Sequence, residues 1–384
     1  MESNKKKIFY WSPSLVNIAT NKAVINSAYA INKYDKEFEC SIINFFGEFE
    51  RYKSIILEKK IKLIYCFNKS LINYLPKYGK IKSRFSFIVI FIMSFFPLKN
   101  LIKKKSPDYL IFHLITSLPL LLLLLFNFKT KFILRISGFP RLGFFRKILW
   151  KLALKKIFIV TCPTKNTLNY IKELNLVDTS KVRLLYDPVI NVKEILKKRK
   201  GEKINYKNYF LSVGRLTKQK NFIFLCQAFK KIVNLNNEYK LIIAGEGEEK
   251  KRINNFINQN GLKDNIILIG HQKNIFPYFT NAKGFILSSL WEDPGFVLLE
   301  AAFCRTPVLS SNSWPGPVEI IKDDFNGIIF ENNNLHNFFD KFNLMLKHQS
   351  IDTLKYNNLK NVKKFTIFRH YLSLSKILIE NQKK

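Results

Sequence analysis

The sequence predicts an α/β protein built as two successive halves, each a parallel sheet flanked by helices. Three observations carry this. Short apolar runs of strand length alternate with helix-length runs from Lys6 to Val189. A polar, charged segment, VKEILKKRKGEKINYKN (192–208), then interrupts the rhythm and is the linker candidate. The alternation restarts at Tyr209 and fills a second half. With 384 residues, 47% of them hydrophobic, the chain is long enough for two domains with real cores and a cleft between them.

In the first half, KKIFYWSP (6–13) is a strand closed by a turn and NKAVINSAYAINKY (21–34) a helix. CSIINFF (40–46), KLIYCF (62–67), PDYLIF (107–112), KFILRIS (131–137) and KIFIVTCP (156–163) are rich in β-branched and aromatic residues and read as strands. TKNTLNYIKELN (164–175) is a helix, and RLLYDPV (183–189) closes the half. Two oily stretches interrupt this series. FSFIVIFIMSFFPL (85–98) is too short to span a bilayer comfortably. It reads as a segment pressing into one leaflet, with KNLIKKK (99–105) meeting lipid phosphates. YLIFHLITSLPLLLLLLF (109–126) is about long enough to span, but it carries His113, two hydroxyls and Pro119. It also reads as a buried strand, a loop and a core helix starting near Pro119.

The second half opens with the strand YFLSVG (209–214) and the helix NFIFLCQAFKKIVN (221–234). YKLIIAG (239–245) and NIILIG (265–270) are strands around the helix EKKRINNFINQNG (249–261). The helix IFPYFTNA (275–282) leads to the strands GFILSS (284–289) and TPVLSS (306–311). FTIFRHYLSLSKILIENQ (365–382) is a final helix. The domain boundaries expected are 1–195, 208–364 and a C-terminal crossover helix over 365–384 that returns to the first domain.

The formal charge is +36, from 64 basic and 28 acidic residues. Such an excess attracts polyanions: nucleic acid, anionic headgroups or diphosphate-bearing substrates. It is also what an AT-rich coding sequence, heavy in Lys, Asn, Ile and Phe, deposits on a solvated surface. Nucleic-acid binding is disfavoured because the 36 Phe lie mostly within apolar runs rather than interleaved with cations. The five cysteines are scattered, with no CxxC or Cys/His cluster, so neither a zinc site nor a disulfide framework is supported. A reducing cytoplasm fits. The basic N-terminus MESNKKKIFYWSPS lacks the apolar core of a secretion signal.

Three segments carry candidate chemistry. Gly214-Arg215-Leu216, with Lys220 five residues beyond Arg215, joins a strand end to a helix start, where free amides and the helix dipole favour anions. Arg215 offers a planar fork to phosphate oxygens and Lys220 a mobile point charge, although both also suit a solvated surface. Gly245 and Gly247 in IIAGEGEEKKRI (242–253) allow close backbone approach, or simply a tight turn. In SLWEDPGFVLLEAAF (289–303), Glu292 stands among turn formers while Glu300 projects from an apolar helix behind Gly295, Phe296 and Val297. A carboxylate at that depth suits two adjacent hydroxyls, as a ribose presents. A helix-capping acid and a loop acid are the structural alternative.

In this order and spacing, G-R-L with Lys220, AGEG, E-x7-E, and GPVEII followed by Asn326-Gly327 resemble retaining glycosyltransferases of the GT-B fold, family 4. The similarity covers about residues 209–330, and the first half agrees mainly in its α/β rhythm. The resemblance implies two Rossmann-like domains and a nucleotide-sugar donor held by the second. Arg215 and Lys220 would neutralise the diphosphate, Glu300 would hold the ribose, and Glu292 the transferred sugar. Backbone at Gly214, Gly245, Gly247, Gly295, Phe296 and Val297 would line the donor, with His271 near the base.

It also implies no cofactor and no metal, and Asp323-Asp324 reads as turn chemistry. The family's glycine pair is missing from SPSLVNIATNKA (12–23), where Asn17 or Thr20 would substitute. His113 is a sugar contact or a core histidine, and Gly138 and Arg141 occupy the acceptor-side loop. The resulting expectation is a metal-independent hexosyl or N-acetylhexosaminyl transferase, UDP-sugar favoured. It would serve lipopolysaccharide, capsule or lipid-linked oligosaccharide synthesis at the cytoplasmic face of an inner membrane. A different sugar-nucleotide enzyme of the same fold, such as an epimerase, is the alternative.

Overall fold

The computed structural model describes residues 5–16, 18–68, 71–76, 80–140, 142–201 and 204–380. The chain forms two compact units, one of Met1–Val189 with Ile367–Lys384 and one of Ile190–Thr366.

The first unit holds seven strands: β1 (Lys6–Trp11), β2 (Phe38–Ile43), β3 (Lys62–Ile64), β4 (Tyr109–Phe112), β5 (Lys131–Arg135), β6 (Ile159–Cys162) and β7 (Val182–Leu184). Their order is β3-β2-β1-β4-β5-β6-β7, and every pairing is parallel. The order reverses between β1 and β4, the point where ligands of open α/β sheets collect. Both faces are buried, which is why the strands read as unbroken apolar runs. The period of two sorts them: Phe9, Trp11, Leu110, Phe112, Phe132 and Leu134 join one core, and Ile8, Tyr10, Ile111 and Ile133 the other.

Against the first core lie the helices Lys80–Lys105, Ser117–Leu125 and Phe144–Lys156, through residues such as Ile90, Leu98, Leu118, Trp150 and Leu154. Against the second lie Ala19–Tyr34 and the C-terminal helix Ile367–Glu380, which anchors through Leu374, Ile377 and Leu378. Thr164 caps the helix Lys165–Glu173, its hydroxyl accepting from the Thr167 amide at 3.1 Å.

The second unit holds β8 (Tyr209–Val213), β9 (Lys240–Ala244), β10 (Ile266–Gly270), β11 (Gly284–Leu287), β12 (Trp291–Glu292), β13 (Val308–Ser311), β14 (Trp314–Pro315) and β15 (Ile328–Phe330). Six of them form a parallel sheet, β10-β9-β8-β11-β13-β15, again reversing beside its first strand. The short β12 and β14 pair with each other.

Two expectations need correcting. The stretch 85–98 is not a short isolated segment but the middle of a 26-residue helix that continues through Pro97 to Lys105. The segment 192–208 is not linker throughout: Val192–Arg199 is a helix of the second unit, with Ile195 buried. Its single inward apolar position gave too little periodicity to register in the sequence.

Candidate functional site

The carboxyl ends of β8, β9 and β10 are stitched together by backbone. The Gly214 amide donates to the Ala244 carbonyl at 3.0 Å and the Gly245 amide to the Gly270 carbonyl at 2.9 Å. Leu216 donates to the Glu246 carbonyl at 2.9 Å, and Glu249 returns a bond of 2.9 Å to the Leu216 carbonyl. A Cβ on Gly245 would stand 1.8 Å from the Gly214 carbonyl oxygen, and one on Gly247 would stand 2.3 Å from that of Leu216. Loop-on-loop contact therefore accounts for both glycines. Gly214 faces the Lys220 side chain, whose Cε would lie 3.0 Å from an added Cβ. His271 follows β10 and is exposed.

Lys220 closes a turn after β8, and its ammonium pairs with Glu292 Oε1. Both side chains are about one-tenth exposed, at 13% and 10%. The Ser289 hydroxyl donates to the same oxygen at 2.8 Å. With two donors converging on Oε1, the orientation of this carboxylate is fixed, while Oε2 keeps its acceptor capacity. The turn itself is held by Leu290, whose amide donates to the Gln219 carbonyl at 2.8 Å. The Gln219 amide group answers on the Trp291 carbonyl at 2.8 Å, and the Ser288 hydroxyl reaches the Lys220 carbonyl at 2.9 Å. Arg215 is exposed beside Gly214 and forms no ion pair among the described residues.

Behind Glu292 the chain turns through Gly295, whose φ of +98° favours glycine, into the helix Phe296–Phe303. The first-turn amides of a helix lack intrahelical acceptors, so Phe296 and Val297 open an anion-compatible end. Glu300 is the fifth residue of this helix and is buried at 6% exposure. The two-residue ladder of β12 and β14 sets Trp291 opposite Trp314 and Glu292 opposite Pro315. The Gly316 amide donates to the Glu292 carbonyl at 2.9 Å. Asp323 accepts from the Ile329 amide and from Lys341, whereas Asp324 accepts from His348, so these two carboxylates serve separate partners.

Within the second unit, then, Lys220, Glu292 and Ser289 are bonded together, Gly214 packs against the Lys220 side chain and Gly295 lies close to Glu292, while Gly245 packs on Gly214 and Gly247 on Leu216. Sequence reasoning missed Ser289, although a serine pair at a strand end before an acid is a usable signal. It also missed the β12–β14 ladder, whose strands are too short to pattern.

In the first unit, His113 follows β4 and is buried at 5% exposure, its Nδ1 3.0 Å from the Ser137 hydroxyl. Burial, reinforced by the Arg135 and His370 charges, holds it well below the ordinary histidine range, so it is neutral. Around it, Tyr10, Ser27 and His370 form a chain: Tyr10 OH to Ser27 at 2.8 Å, Ser27 to His370 Nε2 at 2.7 Å, and His370 Nδ1 to the Tyr186 carbonyl at 2.7 Å. Arg135 and Asp187 make a buried ion pair that lines the same small cavity as His113 and His370. None of these partners was expected. Their pairing spans 52 residues for the ion pair and 343 for Ser27 and His370, beyond the reach of local pattern. Gly138 takes φ +89° with open space where a Cβ would sit. Thr20 is half-buried in the first turn of Ala19–Tyr34. Asn17 and Arg141 lie outside the described residues.

Comparison with known proteins matches residues 194–364 to the family of glycosyl transferases group 1. An uncharacterised glycosyltransferase of Methanocaldococcus jannaschii is 29% identical over 77% of this chain and 74% of its own length. The GalNAc-α-(1→4)-GalNAc-α-(1→3)-diNAcBac-PP-undecaprenol α-1,4-N-acetyl-D-galactosaminyltransferase of Campylobacter jejuni is 25% identical over 92% of each chain. The crystal structure of Anabaena Alr3699/HepE in complex with UDP superposes with a TM-score of 0.71 over 97% of this chain and 100% of that one, at 13% identity. Two doubly wound parallel-sheet units and these matches lead to one conclusion: the chain has the GT-B fold, and its residues 194–364 form a group 1 glycosyltransferase domain.

Proposed function

We propose that this enzyme is a retaining, metal-independent transferase. It would move a hexose or N-acetylhexosamine from a nucleotide-diphosphate sugar, UDP-sugar favoured, to a lipid-linked or surface glycan. The observation that carries the reading is the Lys220–Glu292–Ser289 arrangement beside the helix that buries Glu300. Glu292, oriented through Oε1, offers Oε2 to hydroxyls of the transferred sugar. Glu300 accepts from the ribose hydroxyls, and the amides of Phe296 and Val297 face phosphate. Arg215 and Lys220 stabilise the charge that grows on the diphosphate as it leaves.

In the front-side course expected of this fold, the bond from sugar C1 to phosphate oxygen breaks as the acceptor oxygen bonds to C1 on the same face. The acceptor proton passes to the departing phosphate. No carboxylate nucleophile is required.

Support for a lipid-linked acceptor comes from the Campylobacter relative, whose name specifies an undecaprenol diphosphate substrate, and support for UDP from the Anabaena structure. We place the enzyme on the cytoplasmic face of a membrane, where such acceptors present their glycans. The test is transfer from a panel of nucleotide sugars to a lipid-linked acceptor, with the anomeric configuration of the product read by NMR. Retention of configuration is expected, and inversion would sink the mechanism. Full activity in Arg215→Ala, Glu292→Gln and Glu300→Gln would sink the site.

A further inference from the structure

We propose that the helices Lys80–Lys105 and Phe144–Lys156 together form an in-plane landing surface for an anionic lipid leaflet. The proposal rests on the membrane-side reading above and adds to it a second helix, an orientation and a lipid charge.

The helix Lys80–Lys105 is amphipathic in the wrong sense for a surface helix. Its stripe against the sheet is Ser86, Ile90, Ser94, Leu98 and Ile102, two of the five being serines, while Phe85, Ile88, Ile92 and Phe96 face solvent. Ile92 is 65% exposed and Phe96 63%. An ordinary surface helix puts its bulky apolar side chains inward. The outward stripe then turns basic on the same face, at Lys99 and Lys103, one and two turns past Phe96. Lys99 Nζ stands 5.5 Å from the Phe96 ring centroid.

Phe144–Lys156 repeats the arrangement independently. Phe144, Phe145, Ile148 and Leu152 are exposed, Phe145 to 84%, with Lys151 and Lys155 beside them. Its inner residues Trp150 and Leu154 enter the same core as Ile90 and Leu98, so both helices cover one face of one sheet.

Charge selects the occupant. From Lys59 to Lys172 the sequence holds 23 basic residues and a single acid, Asp108, which accepts from the Lys7 amide at 2.8 Å. The rest of the chain carries 41 basic and 27 acidic residues, so codon bias acting evenly does not explain the stretch. Apolar stripes ending in lysines match an acyl boundary rimmed by phosphates. A second copy docking by this face would set lysine against lysine. The helix Lys82–Lys105 is long and apolar enough to cross a membrane. Its inner stripe, however, is packed on the sheet core from Ile90 to Ile102, which holds it flat.

Co-sedimentation with phosphatidylcholine vesicles, with and without phosphatidylglycerol, tests this on the full chain. The unmodified protein is expected to bind phosphatidylglycerol-containing vesicles at least about tenfold more tightly than neutral ones. The double variants Ile88→Glu/Ile92→Glu and Phe144→Glu/Phe145→Glu should each lose about tenfold. Thermal unfolding like that of the parent would show them folded. The proposal is overturned if the parent stays in the supernatant with anionic vesicles, or if both variants sediment like it. It is equally overturned if the substitutions abolish a dimer in sedimentation velocity and vesicles bind nothing, which would assign the face to a second copy. Failure of the transferase reading shows separately, as absent nucleotide binding in calorimetry without vesicles.

Discussion

Lys220 and Glu292 are 72 residues apart in sequence, and their meeting is what turns two charged side chains into a positioned pair. Each is about one-tenth exposed, so removing one leaves the other charge poorly solvated. Lys220→Met is expected to cost about 3 kcal/mol in urea unfolding, and a smaller loss in Lys220→Met/Glu292→Gln than in the single variant would show that the pair is coupled. Glu292→Gln keeps an oxygen for Ser289 but leaves the Lys220 charge without its partner, so it should cost stability in the same direction as Lys220→Met and lower the transfer rate about 10²-fold or more, read in steady-state kinetics. The glycines separate by the same reasoning. Gly245→Ala drives a Cβ to 1.8 Å from a carbonyl oxygen and is expected to cost about 3 kcal/mol, whereas Gly138→Ala meets open space and carries only the left-handed penalty of about 1 kcal/mol. Denaturant midpoints of the two variants check that contrast. The residue types of the candidate site were legible because the turn glycines and E-x7-E fall at fixed offsets in the chain. Ser289 and the unit-one ion pair of Arg135 with Asp187 were not, because three-dimensional packing and not spacing brings them into place.

At the scale of elements, the strands were read well because both sheet faces are buried and their apolar runs have sharp ends. The helix Lys80–Lys105 runs past both ends of the apolar stretch 85–98 into basic residues and carries Pro97 internally. The C-terminal helix Ile367–Glu380 was legible from its apolar period, but its polar anchor was not. His370 sits on that helix, bonded to Ser27 and to the Tyr186 carbonyl, and burial pushes it down to about 4. Protonation is thus easier in the unfolded chain, and the unfolded state binds more protons between about pH 4 and 6.5. Stability from this group is present above 6.5 and falls as the pH drops toward about 4, by on the order of 3 kcal/mol. His113 acts in the same direction. Glu48, raised to about 7 by burial, acts in the opposite one. The difference between the parent and His370→Gln isolates the histidine. Urea unfolding from pH 7.5 to 4.5 should show the parent losing more stability on acidification than the variant, and equal slopes would contradict the assignment.

The whole molecule divides its tasks between two units of similar construction. The second carries the family match and the bonded Lys220, Glu292 and Ser289; the first carries the buried histidines and the basic, apolar helical face. The two-domain plan was visible in the sequence as a rhythm that stops and restarts, but the exact seam was not. The polar helix Val192–Arg199 belongs to the second unit rather than to a linker, whereas the return of Ile367–Glu380 to the first unit was expected from the sequence. The measurement that bears most directly on the central claim is calorimetric titration of nucleotide-diphosphate sugars into the parent, Glu300→Gln and Lys220→Met, with folding of each checked by circular dichroism. The account predicts that at least one donor binds the parent and that both folded variants bind it at least about tenfold more weakly. Undiminished binding in both variants, or no binding of any nucleotide sugar by the parent, would contradict it.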